Sequence, residues 1–112
     1  MLQIAIIGHG YWGKNLVRNF YSISNAKLHT VADANADRLK TIPQNYPTVK
    51  VTTNINEVIQ NPEIHAVAIA TPVSTQYELA KKCLQAGKHV LVEKPMTSTY
   101  AQAQELIEIA EN

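Results

Sequence analysis

The chain has 112 residues, 46% of them apolar and 17% charged, with a net charge of +1. These values describe one globular domain with a buried core and exclude a disordered segment. Acids and bases are interspersed, so no basic face points to nucleic acid or an anionic membrane, and no run approaches the ~20 apolar residues of a membrane span. Cys83 is the single cysteine and the opening "MLQIAIIG" lacks a basic leader, so the chain reads as cytoplasmic, with no internal disulfide and no signal peptide.

Five short apolar runs are predicted strands, separated by helical patterns. The first, "LQIAII" at 2–7, runs directly into "GHGYWG" at 8–13 and then into a helix from about Gly13 to Ser22 with Leu16, Val17 and Phe20 on its apolar stripe. The second strand, "LHTVA" at 28–32, is followed at once by Asp33. Segment 35–47, with Pro43 and Pro47, carries no clear pattern. After a strand "VKV" at 49–51, Asn54 and Glu57 have the spacing of a capping box for a short helix that Pro62 closes. A fourth strand, "HAVAIA" at 65–70, precedes a helix for which Thr75 and Glu78 offer the same box. That helix turns Ala80, Cys83 and Leu84 inward and stops at Gly87, a residue suited to a left-handed cap. The fifth strand is "HVLV" at 89–92, and a last helix after Thr99 places Ala103, Leu106, Ile107 and Ala110 on one face.

The strand runs are continuously apolar rather than alternating, as in a parallel sheet covered on both faces. The alternation predicts an α/β fold, a doubly wound parallel sheet with right-handed crossovers, in a single dinucleotide-type domain spanning 1–112. Such sheets hold ligands beyond the carboxyl ends of their strands, where the strand order reverses. Five strands are present where a full dinucleotide fold of this type usually has six.

"GHGYWG" matches G-x-G-x-x-G in the right setting: a strand before it, a helix after it, and an acid, Asp33, twenty residues past Gly13. Gly8 serves the tight turn, Gly10 lets backbone approach a pyrophosphate, and Gly13 allows close helix–sheet packing. Free amides and the positive end of the helix dipole then face the anion. Tyr11 and Trp12 could shield the pyrophosphate, and Trp12 could equally be a packing residue. Asp33 should accept from the adenosine ribose hydroxyls, which favours NAD over NADP, because a 2′-phosphate would meet a carboxylate. No arginine follows it immediately; Arg38 is further off. A glycine turn without a ligand, an S-adenosylmethionine site and Asp33 as a simple turn cap are the competing readings. His9 occupies an x position where backbone matters more than ring, and His29, His65 and His89 show no metal-ligand spacing, so no metal site is expected.

"IAIIGHGYWGKN", "ADAN", "AVAIATPVSTQYELA" and "AGKHVLVEKPM" together resemble the N-terminal NAD(P)-binding Rossmann domain of the Gfo/Idh/MocA oxidoreductases. The likeness covers essentially the whole chain, and "GKHVLVEKP" is its most specific part. It implies hydride transfer between a nicotinamide cofactor and a sugar, polyol or sugar-nucleotide alcohol, acting on CH–OH groups. It implies that Lys94 sits beside the nicotinamide and substrate as a catalytic residue, with Glu93 the matched acid and Pro95 fixing the turn. Thr71 and Pro72 match a loop lying along the cofactor. Gln76 is counted with the cofactor-facing residues, although relatives usually carry histidine there. The resemblance also implies a missing C-terminal domain holding the acid/base residue and most substrate contacts. On that reading this chain binds the dinucleotide without turning over substrate. A different class of function, a non-catalytic NAD(H) sensor acting through a partner protein, would use the glycine loop and Asp33 but not Lys94. Because the fifth strand has an open side, self-association as a homo-oligomer is expected there.

Overall fold

A computed structural model describes residues 2–9, 11–22 and 26–92. Within them lie β1 (Leu2–Ile7), α1 (Tyr11–Tyr21), β2 (Ala26–Ala32), a 3₁₀ turn at Ala36–Leu39, α2 (Ile42–Asn45), β3 (Lys50–Thr52), α3 (Ile55–Gln60), β4 (Ala66–Ile69), α4 (Val73–Gln85) and β5 (His89–Val92). The strands form one sheet in the order β3-β2-β1-β4-β5, and every pairing is parallel. The order runs outward from β1 in both directions, so the reversal falls between β1 and β4. The expected doubly wound α/β architecture is present, with the ligand edge at the tips of β1, β2 and β4.

Continuously apolar strands are explained by a separate core on each face of the sheet. Ala5, Ile7, Ala32, Val67 and Ile69 pack against Val58 of α3 and Ala80 and Cys83 of α4. On the other face, Ile6, Leu28, Val31 and Ala68 meet Val17 of α1 together with Leu39 and Ile42. Successive residues of β1 therefore serve opposite cores, and no position along its centre can be polar.

Three local expectations change. Helix α1 begins at Tyr11 rather than Gly13, so its first turn lies inside the glycine motif. Helix α4 begins at Val73, two residues ahead of Thr75, because Pro72 (φ −54°, ψ 149°) already supplies the extended cap geometry. Thr75 sits within the helix, its hydroxyl donating back to the Pro72 carbonyl at 2.8 Å, so it is not the capping residue. At α3 the Asn54 side chain does cap, but it accepts from the Asn56 amide at 3.1 Å, while the Glu57 amide uses the Asn54 carbonyl. The segment without a clear pattern, 35–47, folds into the 3₁₀ turn, capped by Asn35 accepting from the Asp37 amide, and into α2. Gly87 has φ +84° and ends α4 as expected. The last predicted helix lies outside the described residues.

Candidate dinucleotide-binding site

Gly8 follows β1 with φ +99°. Its amide donates to the Ala32 carbonyl at 2.7 Å, while the Ala70 amide donates to the Ile7 carbonyl at 2.8 Å. The β1 tip is thus stitched to β2 on one side and β4 on the other. A β-carbon on Gly8 would stand 2.9 Å from the carbonyl carbon and oxygen of Ala70 and 3.0 Å from Thr71 Cγ2. Only glycine lets the two loops approach this closely while the backbone turns.

Asp33 lies immediately beyond β2 and is 6% exposed. Its amide donates to the Thr52 carbonyl of β3 at 3.2 Å, continuing the ladder past the strand end. One carboxylate oxygen, Oδ2, accepts from the His9 amide at 2.8 Å, and Oδ1 accepts from the Asn35 amide at 2.8 Å. Asp33 therefore clamps the glycine loop to the β2 loop. A carboxylate offers about four lone-pair sites, so capacity remains for ligand hydroxyls. The simple turn-cap role is present in the Asn35 bond, yet it uses only one oxygen.

Arg38, distant in sequence terms, is brought back by the 3₁₀ turn. Its Nη1 stands 3.7 Å from Asp33 Oδ2, with its side chain about half exposed. The His9 ring, 4% exposed, is bonded through Nδ1 to the Arg38 carbonyl. At His9 the ring is engaged as well as the backbone, for which the greater part was expected. Sequence gave no signal for this, because the bond spans 29 residues.

A cavity of about 430 Å³ opens at this edge, within the ~300–1,000 Å³ usual for small-molecule sites. Gly8, Asp33, Ala34 and Arg38 line it from the β1 and β2 side, and Ile55, Ala70, Thr71, Pro72 and Leu79 from the other. Beside it, α1 starts with no acidic residue in its first turn, so nothing there opposes an anion at the positive end of the helix. Gln76, 4% exposed, donates through Nε2 to the Thr71 carbonyl at 2.9 Å, which fixes the β4 loop. The structure thus brings Gly8, Asp33, Thr71, Pro72 and Gln76 together, with the backbone of Tyr11, Trp12 and Gly13 in the first turn of α1. Gly10, Glu93 and Lys94 lie outside the described residues.

The remaining polar residues serve elsewhere. His29 contacts Thr30 Oγ1 at 2.6 Å and Glu63 at 3.3 Å, and His65 Nδ1 accepts from the Gln3 amide. Among the described residues no cluster of His, Cys, Asp or Glu could hold a metal ion. Lys88, which sequence reasoning passed over, is 7% exposed and donates to the carbonyls of Asn61 and Ile64 at 2.7 and 2.8 Å. Burial lowers its pKa. Burial also pushes the Cys83 thiol up to about 11, against the opposing pull of the Lys88 charge.

A parallel sheet with this order, a glycine turn at the β1 tip and an acid at the β2 tip defines a dinucleotide-binding α/β domain. Residues 2–112 match the family of oxidoreductases with an NAD-binding Rossmann fold, Gfo/Idh/MocA, and the chain belongs to that family. It is 31% identical over 107 residues to myo-inositol 2-dehydrogenase of Thermotoga maritima, covering 96% of this chain and 32% of that protein. Among solved structures it superposes on GenD2 from gentamicin A biosynthesis in complex with NAD (TM-score 0.92, 26% identity, 98% of this chain and 31% of that one). It also superposes on biliverdin reductase from Synechocystis in complex with biliverdin and NADP+ (TM-score 0.91, 27% identity, 98% and 34%). The chain spans about a third of the length of the relatives that it matches end to end.

Proposed function

We propose that residues 1–112 form the cofactor-binding part of a longer, two-domain dehydrogenase that moves hydride between NAD and the CH–OH group of a sugar, polyol or sugar nucleotide. The carrying observation is the Asp33 clamp: one carboxylate holds the His9 amide of the glycine loop and keeps acceptor capacity at the cavity. The residues fit a dinucleotide. Gly8 lets the β1 and β4 loops close together at the cavity where a β-carbon would collide, Asp33 receives ribose hydroxyls, and Ile55, Pro72 and Leu79 supply apolar walls for a base. The start of α1, within Gly8–Gly13, receives the pyrophosphate. A bound nicotinamide would supply hydride exchange with the substrate carbon.

Lys94 carries the chemistry on the substrate side in this reading, supported by its place in the E-K-P motif directly after β5. Its ammonium donates to the substrate hydroxyl and stabilises the oxygen as hydride leaves. Glu93 precedes it in the motif and is assigned to the cofactor side by the family likeness. The inositol dehydrogenase relative supports a polyol-type substrate; the biliverdin-bound neighbour marks how far the family's substrates range. NAD is preferred because Asp33 faces the ribose, and Arg38, 3.7 Å away, lets NADP bind more weakly by turning toward a 2′-phosphate.

Calorimetric titration of the chain with NADH tests the reading: a single binding event with a raised melting temperature is expected. No heat together with no thermal shift would overturn it. In the full-length parent, Lys94→Ala should abolish turnover with only a modest loss of cofactor affinity, and unchanged kcat would remove Lys94 from the mechanism.

A further inference from the structure

His9 ties together the two groups that face the adenosine ribose in the dinucleotide reading. Its backbone amide donates to Asp33 Oδ2 at 2.8 Å, and its buried ring bonds through Nδ1 to the Arg38 carbonyl. A carbonyl oxygen only accepts, so Nδ1 carries the hydrogen and donates. One residue of the glycine loop thus holds a carboxylate with its backbone and the base of an arginine with its ring.

The two bonds respond differently to a change of side chain. Asp33 accepts from the His9 and Asn35 backbone amides, and substitution of the His9 side chain removes neither donor. Arg38 stands in a four-residue 3₁₀ turn, a form with poor hydrogen-bond geometry. Within it the Arg38 amide bonds to the Asn35 carbonyl at 3.1 Å, and the Lys40 amide to the Asp37 carbonyl at 3.5 Å. Leu39 anchors the turn in the core on the α1 face, and the His9 ring anchors the Arg38 peptide to the glycine loop. The guanidinium is about half exposed and stands 3.7 Å from Asp33 Oδ2, near enough to attract and too far to hydrogen bond. It lines the cavity with Gly8 and Asp33. A 2′-hydroxyl needs only the carboxylate. A 2′-phosphate is repelled by that carboxylate and needs the guanidinium, whose planar fork pairs with phosphate oxygens.

We propose that the His9 ring is a positioning residue for cofactor selection: by holding the Arg38 carbonyl it sets where the guanidinium meets the 2′ position of the ribose. The proposal rests on the dinucleotide reading and adds to it a residue that acts on the second cofactor, NADP+, through Arg38.

The test is calorimetry on the 112-residue chain with NAD+ and NADP+, comparing wild type with His9→Phe and His9→Asn, each also combined with Arg38→Ala. Phenylalanine fills the ring's space without its donor, so His9→Phe should weaken NADP+ relative to NAD+ by about fivefold, the scale of one neutral hydrogen bond. Asparagine carries an N–H close to where Nδ1 stands, and His9→Asn should keep the wild-type ratio. With Arg38→Ala present, His9→Phe should leave the ratio unchanged. Retained NAD+ binding also shows that the variants fold. An unaltered ratio in His9→Phe, the same change with and without Arg38, or loss of NAD+ binding in both His9 variants would overturn the positioning role. Wild type binding NAD+ but not NADP+ would also overturn it and leave the dinucleotide reading intact. Wild type binding neither would overturn the dinucleotide reading, and the positioning role with it.

Discussion

Substituting alanine at Gly8 and at Gly87 separates two roles of glycine that sequence cannot tell apart. Both residues have positive φ, +99° and +84°, so each substitution incurs backbone strain of about 1–2 kcal/mol. Only at Gly8 does the new methyl meet backbone, at 2.9 Å from the Ala70 carbonyl; at Gly87 nothing lies within 4 Å. Backbone atoms cannot rotate away as a side chain does, so Gly8→Ala adds an overpacking cost of about 1–3 kcal/mol. The expected destabilisation is roughly 3 kcal/mol for Gly8→Ala, from strain and overpacking together, and roughly 1 kcal/mol for Gly87→Ala, from strain alone. Urea unfolding followed by circular dichroism measures both. Gly8→Ala should also weaken NAD+ binding, because relief of the clash separates the β1 and β4 loops, whereas Gly87→Ala should not. Equal destabilisation of the two variants would refute the close-approach argument, whatever the binding data showed.

Asp33→Ala frees the His9 and Asn35 amides and removes the ribose acceptor; NAD+ affinity should fall by at least about tenfold by titration, from the loss of charge-assisted bonds. Arg38→Ala should leave NAD+ nearly unchanged and weaken NADP+ by about tenfold, read as the ratio of the two dissociation constants. Cys83 should resist a thiol reagent in the folded chain, since burial holds its pKa near 11; labelling should track unfolding as denaturant is added. Its raised pKa stabilises the fold fully below the thiol's unfolded value near 9 and loses that contribution as pH rises toward 11. Lys88→Met removes the Lys88 bond to the Ile64 carbonyl and one of two bonds to the Asn61 carbonyl, which keeps the Ile64 amide, and should cost about 1–3 kcal/mol in the same urea assay.

The sheet was legible because its signal is local. Each strand run is short, apolar and bounded, and β1 and β5 fall where their runs predicted. Asp33 and Gly8 were legible because a spacing rule carries them. What could not be read depends on contacts across the chain. Arg38 reaches Asp33 only because 34–39 folds into a tight turn, and that segment has no periodicity to betray it. Lys88 sits at the start of a strand, where a lysine reads as solvated; its burial comes from two carbonyls more than twenty residues away. Gln76 looked like a departure from the family pattern. In place it supplies a donor and an acceptor on one neutral group, the same pair that a neutral imidazole offers. The E-K-P tip that carries the family likeness lies outside the described residues.

The central claim is that a dinucleotide lies across the tips of β2, β1 and β4. A crystal structure of the chain grown with NAD+ tests it most directly. The account predicts adenosine ribose hydroxyls within hydrogen-bonding distance of Asp33 and the pyrophosphate against backbone amides at the start of α1. A ligand bound elsewhere, with the Asp33 carboxylate facing only its own backbone partners, would contradict it.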